Sequence, residues 1–438
     1  MVLRSLNTGV TGLRAEGDAI SVNADNIANV NTVGFKSQRA IFEDQLGRSI
    51  LAGTSTALPG AGVRMTDVQV MHKQGTLSNT GISTDLALSG DGFFVVSGTT
   101  NGVTSDFYTR AGQFSLDADG YLVNPDGLNA QGYAANTDGS FDAALTSVQV
   151  PTAAIPPKVT ENIEIVANLS SSETVPTDPW DPQDPSGTSN FSSTLTVYDS
   201  LGSAHSMDIY FRKTGANAFE YHVLASGDEI DDPGNTGNPL APGQNVEVGG
   251  GTLAFTENGE LDSITTTTAI SADFLGATAG QAIALDFGST VGGGGTGLDG
   301  ITQFDSSSNV SAQSQDGYAS GEFAGVSVDG EGVVRGLYTN GEKLAISQLG
   351  VAKFVSNDGL GRAGNQLYIA TRDSGEAAMG TAGTGGRAAV SAGALEGSNV
   401  DLAEEFVGLI QHQRAFSANS RTITTADSML QELLSIKR

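Results

Sequence analysis

A chain of 438 residues with 21 Lys and Arg, 49 Asp and Glu, a formal charge of −28 and no cysteine has length for about three domains. So few bases exclude a counterion-releasing nucleic-acid surface and a polybasic membrane anchor, and the missing thiols exclude Cys catalysis, Cys-ligated zinc and disulfides. Charged residues are only 16% of the chain, below the ~25% usual in soluble domains, so the acidity reflects scarce bases and not acid-rich runs.

In chain order, the first segment reads as a helix. Leu3, Leu6, Val10, Leu13, Gly17, Ile20, Ala24 and Ile27 recur in steps of three and four, a seam for packing on another helix. Gly9, Gly12 and Gly17 each cost it ~1 kcal/mol against Ala, so it is expected to form only when packed. The opening MVLRSLNTGVTGLRAEG has no continuous apolar stretch of the kind a cleaved signal peptide needs. No window reaches the ~18 apolar residues of a membrane-spanning helix.

The pattern then changes to period two with turn dipeptides. Asp91-Gly92, Asp119-Gly120, Asp126-Gly127, Asn258-Gly259, Asp329-Gly330, Asn340-Gly341 and Asp358-Gly359 separate short apolar runs such as FFVV at 93–96, the signature of antiparallel hairpins. Residues 176–185, PTDPWDPQDP, can continue neither strand nor helix and mark a loop, and GGGG at 292–295 marks another. The stretch between about 169 and 308 is therefore expected to be a separately folded β insert.

Two motifs in this middle invite a chemical reading. Gly295, Gly297 and Gly300 fit GxGxxG, and GGTGLDGIT at 294–302 fits a calcium nonapeptide. No helix follows the first and the second has no tandem copies, so a flexible loop explains both. DADG at 117–120 opens like a calcium loop, but Tyr121 and Leu122 fall where an oxygen ligand and the turn glycine belong. His72, His205, His222 and His412 are scattered without metal-ligand spacing. No catalytic residue, cofactor or metal is expected.

The C-terminal segment reads as a long helix. Ser398 and Asp401 form an S-x-x-D capping pattern, and Asp401, Glu404 and Glu405 at its start oppose Lys437 and Arg438 at its end, as the macrodipole favours. Leu395, Leu402, Leu409, Phe416, Ile423 and Leu430 recur every seven residues; of the alternate positions Phe406 and Leu434 are apolar, and Gln413, Ser420 and Asp427 are not. A helix docked on its own core is the simpler reading of either end. Seven-residue seams at both ends favour their pairing with each other and with neighbouring copies. The expected seam is Leu3, Leu6, Val10, Leu13, Ile20, Ile27, Leu402, Phe406, Leu409, Phe416, Ile423 and Leu430. Residues 1–50 are net neutral and 399–438 carry −1, which leaves −27 on the middle.

NIANVNTVGFKSQRAIFEDQL at 26–46 and EGSNVDLAEEFVGLIQHQRAFSANSRTITTADSMLQELLSIKR at 396–438 resemble the paired terminal signatures of the bacterial flagellar rod and hook family. SGDGFFVV (89–96) and YTRAGQFSLDADGYLVNPDGLNAQGY (108–133) resemble the inner β domain of its distal rod and hook members. STLTVYDSLGSAHSMDIYFRK (193–213) and GEFAGVSVDGEGVVRGLYTNGEKLAISQLGVAKF (321–354) are similar to its hook members in particular. The resemblance spans nearly the whole chain and is weakest over 214–308.

The implied fold is α+β and multidomain, a terminal α-helical coiled coil with nested antiparallel β domains. It implies a coiled coil of 1–28 with 398–438 and a connecting segment of 29–72 with 372–397. An inner β domain of 73–168 with 309–371 would follow, carrying 169–308 as an outer β insert. The implied role is a structural subunit that polymerises into a curved tube joining the motor's rod to the filament. Its partners would be itself, the distal rod protein, the hook cap, the hook–filament junction protein and the flagellar type III export apparatus. Its place would be the extracellular flagellum, reached without a cleaved signal. A distal rod or junction protein of the same family is the near alternative, and a secreted β-rich adhesin or binding module the distant one. Some spirochaete members are cross-linked through a cysteine, which this chain lacks.

Overall fold

The N-terminal seam folds as a helix over Val2–Ala28, and the C-terminal one as a helix over Leu402–Ile436. The structure, a computed structural model, describes residues 2–46, 60–100, 102–136, 139–231, 237 and 239–436. Between the helices almost everything regular is strand. No helix is long and apolar enough to cross a membrane among the described residues.

The chain divides into two units, 1–152 with 325–337 and 343–438, and 153–324 with 338–342. In the first, Gln38–Leu46 pairs antiparallel with Gly60–Val70 directly after the N-terminal helix. Two short ladders then join distant parts of the chain: Leu77–Asn79 with Ala394–Glu396, and Leu86–Ser89 with Ala389–Ala392. Beyond them a larger sheet sets Phe93–Thr100 and Asn129–Ala135 against Lys343–Lys353. The pieces 73–168 and 309–371 thus share a sheet through these strands. Its core is aromatic: Phe93, Tyr108, Phe354 and Tyr368 are all buried, with Tyr108 and Phe354 packed edge to face at 4.8 Å.

Most of the hairpin signals place turns between paired strands; Asp358-Gly359 instead falls in a 3-10 turn over Asn357–Gly359, Asp91-Gly92 joins strands of different sheets, and one turn is shifted locally. Gly120 sits at φ 82°, where no Cβ is tolerated well, and Asp117 Oδ1 accepts the N–H of Asp119 and Tyr121 at 3.0 and 2.7 Å. The DADG carboxylate is therefore spent on its own turn. At Asp329-Gly330 the left-handed residue is instead Gly332, at φ 78°. Asp329 Oδ1 accepts from Glu331 and Val333, which moves the turn two residues along.

The second unit is a two-sheet sandwich. Five antiparallel strands run in chain order: Phe191–Tyr198, Ala204–Gly215, Ala218–Ser226, Asn245–Phe255 and Leu261–Thr268. Along Ala204–Gly215, His205, Met207, Ile209, Phe211 and Lys213 are buried and alternate with more exposed residues, the pattern of a strand with one face on a core. Ile163, Ile165 and Phe287 join that core. The second sheet contains a parallel pair, Asn162–Asn168 with Gln281–Asp286, so the antiparallel expectation is not met there. A direct return between strands gives antiparallel pairing; the long excursion through the five-stranded sheet lets this pair run parallel.

This unit is wider than the 169–308 expected, because Asn162–Asn168 lies between Gln281–Asp286 and Asn309–Gln315 in the second sheet. The Pro/Asp-rich loop lies against the first sheet: Trp180 stacks on His222 at 4.0 Å and donates to Glu247 Oε2 at 3.1 Å. At the Gly-rich loop Asp299 accepts from Ser289 N and Oγ at 2.9 and 2.8 Å.

Candidate assembly site

Within the first unit the two terminal helices lie antiparallel. Glu16 meets His412 at 2.6 Å, Asn23 donates to the Glu405 carbonyl at 3.3 Å, and Asn26 Nδ2 donates to Glu405 Oε1 at 2.8 Å. Burial pushes the Glu405 carboxyl up, against the pull of the Asn26 amide and with a further push from Glu404. The buried line of the N-terminal helix is Gly9, Gly12, Ala15, Ala19 and Asn26. A Cβ at Gly9 would meet Thr422 and Ile423 at 2.9 and 3.0 Å, and one at Gly12 would meet the Asn419 amide at 2.7 Å. The glycines that weaken this helix alone are what lets its partner approach.

The expected seam residues divide accordingly. Leu6, Val10, Leu13, Ile20 and Ile27 flank the small-residue line half-buried, as do Leu409, Phe416, Ile423 and Leu430 on the other helix. Ile423 lies at Gly9 and Phe416 at Gly17. Leu402 and Phe406 are not brought into this contact and are 41% and 51% exposed. The side chain of Leu3, and residues Lys437 and Arg438, lie outside the described residues. Heptad reasoning over apolar residues missed the closest contacts. The signal was present in Gly9 and Gly12, small residues three apart on one face. We expect Gly12→Leu to destabilise the helix pair by about 1–3 kcal/mol through overpacking, seen as faster hydrogen exchange in both helices. Gly12→Ala, which gains propensity and needs only Asn419 to turn, is expected to be nearly neutral.

The C-terminal helix is capped by Asp401, whose Oδ1 accepts from Ala403 and Glu404 at 2.8 and 3.3 Å. Ser398 instead accepts from Val400, because the helix begins at Leu402 and Asp401 is the residue placed to reach its free N–H groups. Clear of the helix–helix contact, Leu402, Phe406, Val407 and Ile410 form an exposed apolar stripe, Val407 at 55%, whose members Leu402 and Val407 border a cavity shared with Asn23 and Met71. A contiguous stripe of this kind marks an interaction surface.

Below the helices four passes of chain meet at one buried ionic junction. Glu396 accepts from Lys36 Nζ at 2.6 Å, Gly75 N at 2.9 Å and Arg110 Nη1 at 3.1 Å, with all three charged side chains at most 5% exposed. Lys36 also donates to the Lys73 carbonyl at 2.9 Å, and Arg110 to that of Gly90 at 2.6 Å. Burial pulls the Lys36 ammonium down, and Glu396 offsets part of that. Asn399 adds a second tie, accepting from Ser37 N at 2.7 Å and donating to the Met71 and Lys73 carbonyls. Beside the junction His72 packs on Phe93 and Tyr368 with its Nδ1 buried and unpartnered.

The other histidines have local acid partners. His205 bridges Glu229 at 2.9 Å and Asp199 at 3.2 Å, and His222 meets Glu247 at 2.7 Å. No three His, Asp or Glu side chains converge as a metal site among the described residues.

Four family models match the chain in order: flagella basal body rod protein over 6–36, flagellar hook protein FlgE/F/G D1 domain over 87–168, flagellar basal body protein FlaE D2 domain over 168–318, and flagellar basal body rod FlgEFG protein C-terminal over 391–436. The flagellar hook protein FlgE of Salmonella typhimurium is 34% identical over 99% of this chain and 100% of its own. That of Treponema pallidum is 32% identical over 100% of both chains. The crystal structure of Helicobacter pylori flagellar hook protein FlgE2 aligns over 72% of this chain and 98% of its own, with a TM-score of 0.48 and 14% identity. At such identity over its full length, with terminal rod-type segments enclosing the two β segments, the chain belongs to the flagellar hook protein family.

Proposed function

We propose that this protein is the structural subunit of a flagellar hook, polymerising into a curved tube that couples the motor's rod to the filament. The observation that carries the reading is the exposed stripe Leu402, Phe406, Val407 and Ile410 on a helix another side of which is already covered by the N-terminal helix. In the polymer the two helices act as a coiled coil, 1–28 with 398–438, and the stripe meets neighbouring copies around the tube's inner wall. The seam set is then used twice: the half-buried members within the subunit, Leu402 and Phe406 between subunits. Residues 29–72 with 372–397 form the connection, 73–152 with 325–337 and 343–371 the inner β domain, and 153–324 with 338–342 the outer one. The role is structural, without catalysis.

The distal rod protein, hook cap, hook–filament junction protein and type III export apparatus are its partners in the growing flagellum, which it reaches without a cleaved signal. Bending follows from surfaces that exchange several nearly equal packings as the tube turns. β surfaces rich in Gly, Ser and Thr, with few fixed ion pairs, permit that. An acidic exterior keeps assembled tubes dispersed. Supporting this reading over an adhesin, the single Trp180 is engaged with His222 and Glu247 and is not part of an open aromatic platform.

Electron microscopy of the purified full-length protein is expected to show curved hollow tubes. Phe406→Asp with Val407→Asp is expected to leave soluble subunits with an unchanged β fold by circular dichroism. Failure of the wild-type chain to assemble over a wide range of concentration and salt would overturn the proposal.

A further inference from the structure

The near-neutral ends conceal a segregation of charge. From Ala15 to Ala28 the N-terminal helix carries Glu16, Asp18 and Asp25 and no Lys or Arg. From Phe406 to Ala426 the C-terminal helix carries Arg414 and Arg421 and no Asp or Glu. Glu16 is engaged with His412 inside the subunit. Asp18 and Asp25 are exposed, as are Arg414 and Arg421. Asp18, Arg414 and Arg421 have no side-chain partner among the described residues, while Asp25 accepts from Gln38 Nε2 at 2.9 Å and from Asn29.

The spacing on the two helices is the same. Asp18 and Asp25 are seven residues apart, and so are Arg414 and Arg421, which puts each pair on one face about 10 Å apart along its axis. Ser417 and Ala418 lie between the arginines and, with Ile410 and Gln413, line a shallow depression on the helix surface. Arg14, one turn before Asp18, confines the complementary stretch to residues 15–28. Within one subunit the arginines face away from the N-terminal helix, since the residues turned to it are Leu409, His412, Phe416, Asn419 and Ile423. Their carboxylates must come from elsewhere.

We infer that the depression at Arg414 and Arg421 receives the N-terminal helix of a second copy of this chain, with Asp18 and Asp25 as the opposing charges. The ladder sets the register of neighbouring helices, and the adjacent apolar stripe from Leu402 to Ile410 supplies the burial. This rests on the hook-subunit reading above. A displaced register leaves an aspartate and an arginine unpaired or brings Arg14 towards an arginine, so a two-rung ladder disfavours packings that the apolar stripe alone tolerates.

The test is the critical concentration for assembly of the purified full-length protein, measured by sedimentation at low and high salt. Arg414→Glu with Arg421→Glu is expected to raise it by more than about tenfold at low salt, and Asp18→Arg with Asp25→Arg likewise. Combining all four substitutions is expected to return it to within about threefold of wild type. Unaltered assembly of the Arg414→Glu/Arg421→Glu protein overturns the ladder and leaves the hook reading standing. A block that the four-fold swap does not relieve overturns Asp18 and Asp25 as the partners. Failure of the wild type to form tubes overturns the hook reading itself.

Discussion

Glu396→Ala is expected to destabilise the first unit by about 3–5 kcal/mol, the range found when one member of a buried ion cluster is removed. The loss arises because Lys36 and Arg110 stay where they are. Both are almost fully enclosed, and the alanine leaves two cations and the Gly75 N–H without the oxygens that held them. An exposed pair such as Arg64 with Glu43, at 60% and 51% exposure, contributes little by comparison, because water screens it. Urea unfolding with two probes checks this: the transition of the first unit is expected to move, and that of 153–324 to stay. Hydrogen exchange is expected to rise first at 34–37, 71–75, 109–111 and 394–399, the four passes that meet at Glu396. An unchanged first transition would show that the cluster adds nothing to holding the segments together. The cluster is where the helical ends are fastened to the β structure of their own unit.

Acid is expected to loosen the same junction through His72. Burial lowers this imidazole to about 4, with Lys36 and Arg110 adding to the effect and Asp358 and the Asn357 carbonyl opposing it. In the unfolded chain it titrates near 6.5. Between those values the unfolded state holds a proton that the folded state refuses, so stability falls as pH falls from 6.5 towards 4 and is full above that window. The shift corresponds to at most about 3 kcal/mol. His72→Phe, which fits between Phe93 and Tyr368, is expected to remove this part of the acid sensitivity while other carboxylates continue to titrate. Equal slopes of stability against pH for the two proteins between 6.5 and 4 would refute it. Loss of solvation among the aromatic rings is the main reason the fold resists protonation there, and a third positive charge near Lys36 and Arg110 adds to it.

How much of this was readable beforehand depends on the range of the interaction. Local signals translated well into local structure. Asp117 with Gly120 makes its turn, Asp401 stands at the head of the C-terminal helix, and the alternation over Ala204–Gly215 becomes a strand with one buried face. Each is governed by neighbours within four residues, so composition and spacing suffice. The shift from Gly330 to Gly332 shows the limit: either glycine serves a turn, and the bonds of Asp329 choose between them. At the helices, period marked the elements but not their contact. Leucine and isoleucine spacing proposed a seam, whereas Gly9 and Gly12 lie closest to the partner, because the approach of two helices is limited by the bulk between them.

By itself the sequence determined helical ends, a β-rich acidic middle, the absence of covalent staples and, through its terminal signatures, a resemblance to the rod and hook proteins. Tertiary structure alone decided what meets across hundreds of residues. It set Phe93–Thr100 against Lys343–Lys353 in one sheet and placed Asn162–Asn168 in the second unit. It closed Lys36, Arg110 and Glu396 into one buried cluster and left Arg414 and Arg421 facing outward. Periodicity records which face of an element is apolar; it carries no label for the partner. Pairing over such separations is fixed by the packing of whole surfaces, in which Lys36 and Glu396, 360 residues apart, are bound only once both strands and helices are in place.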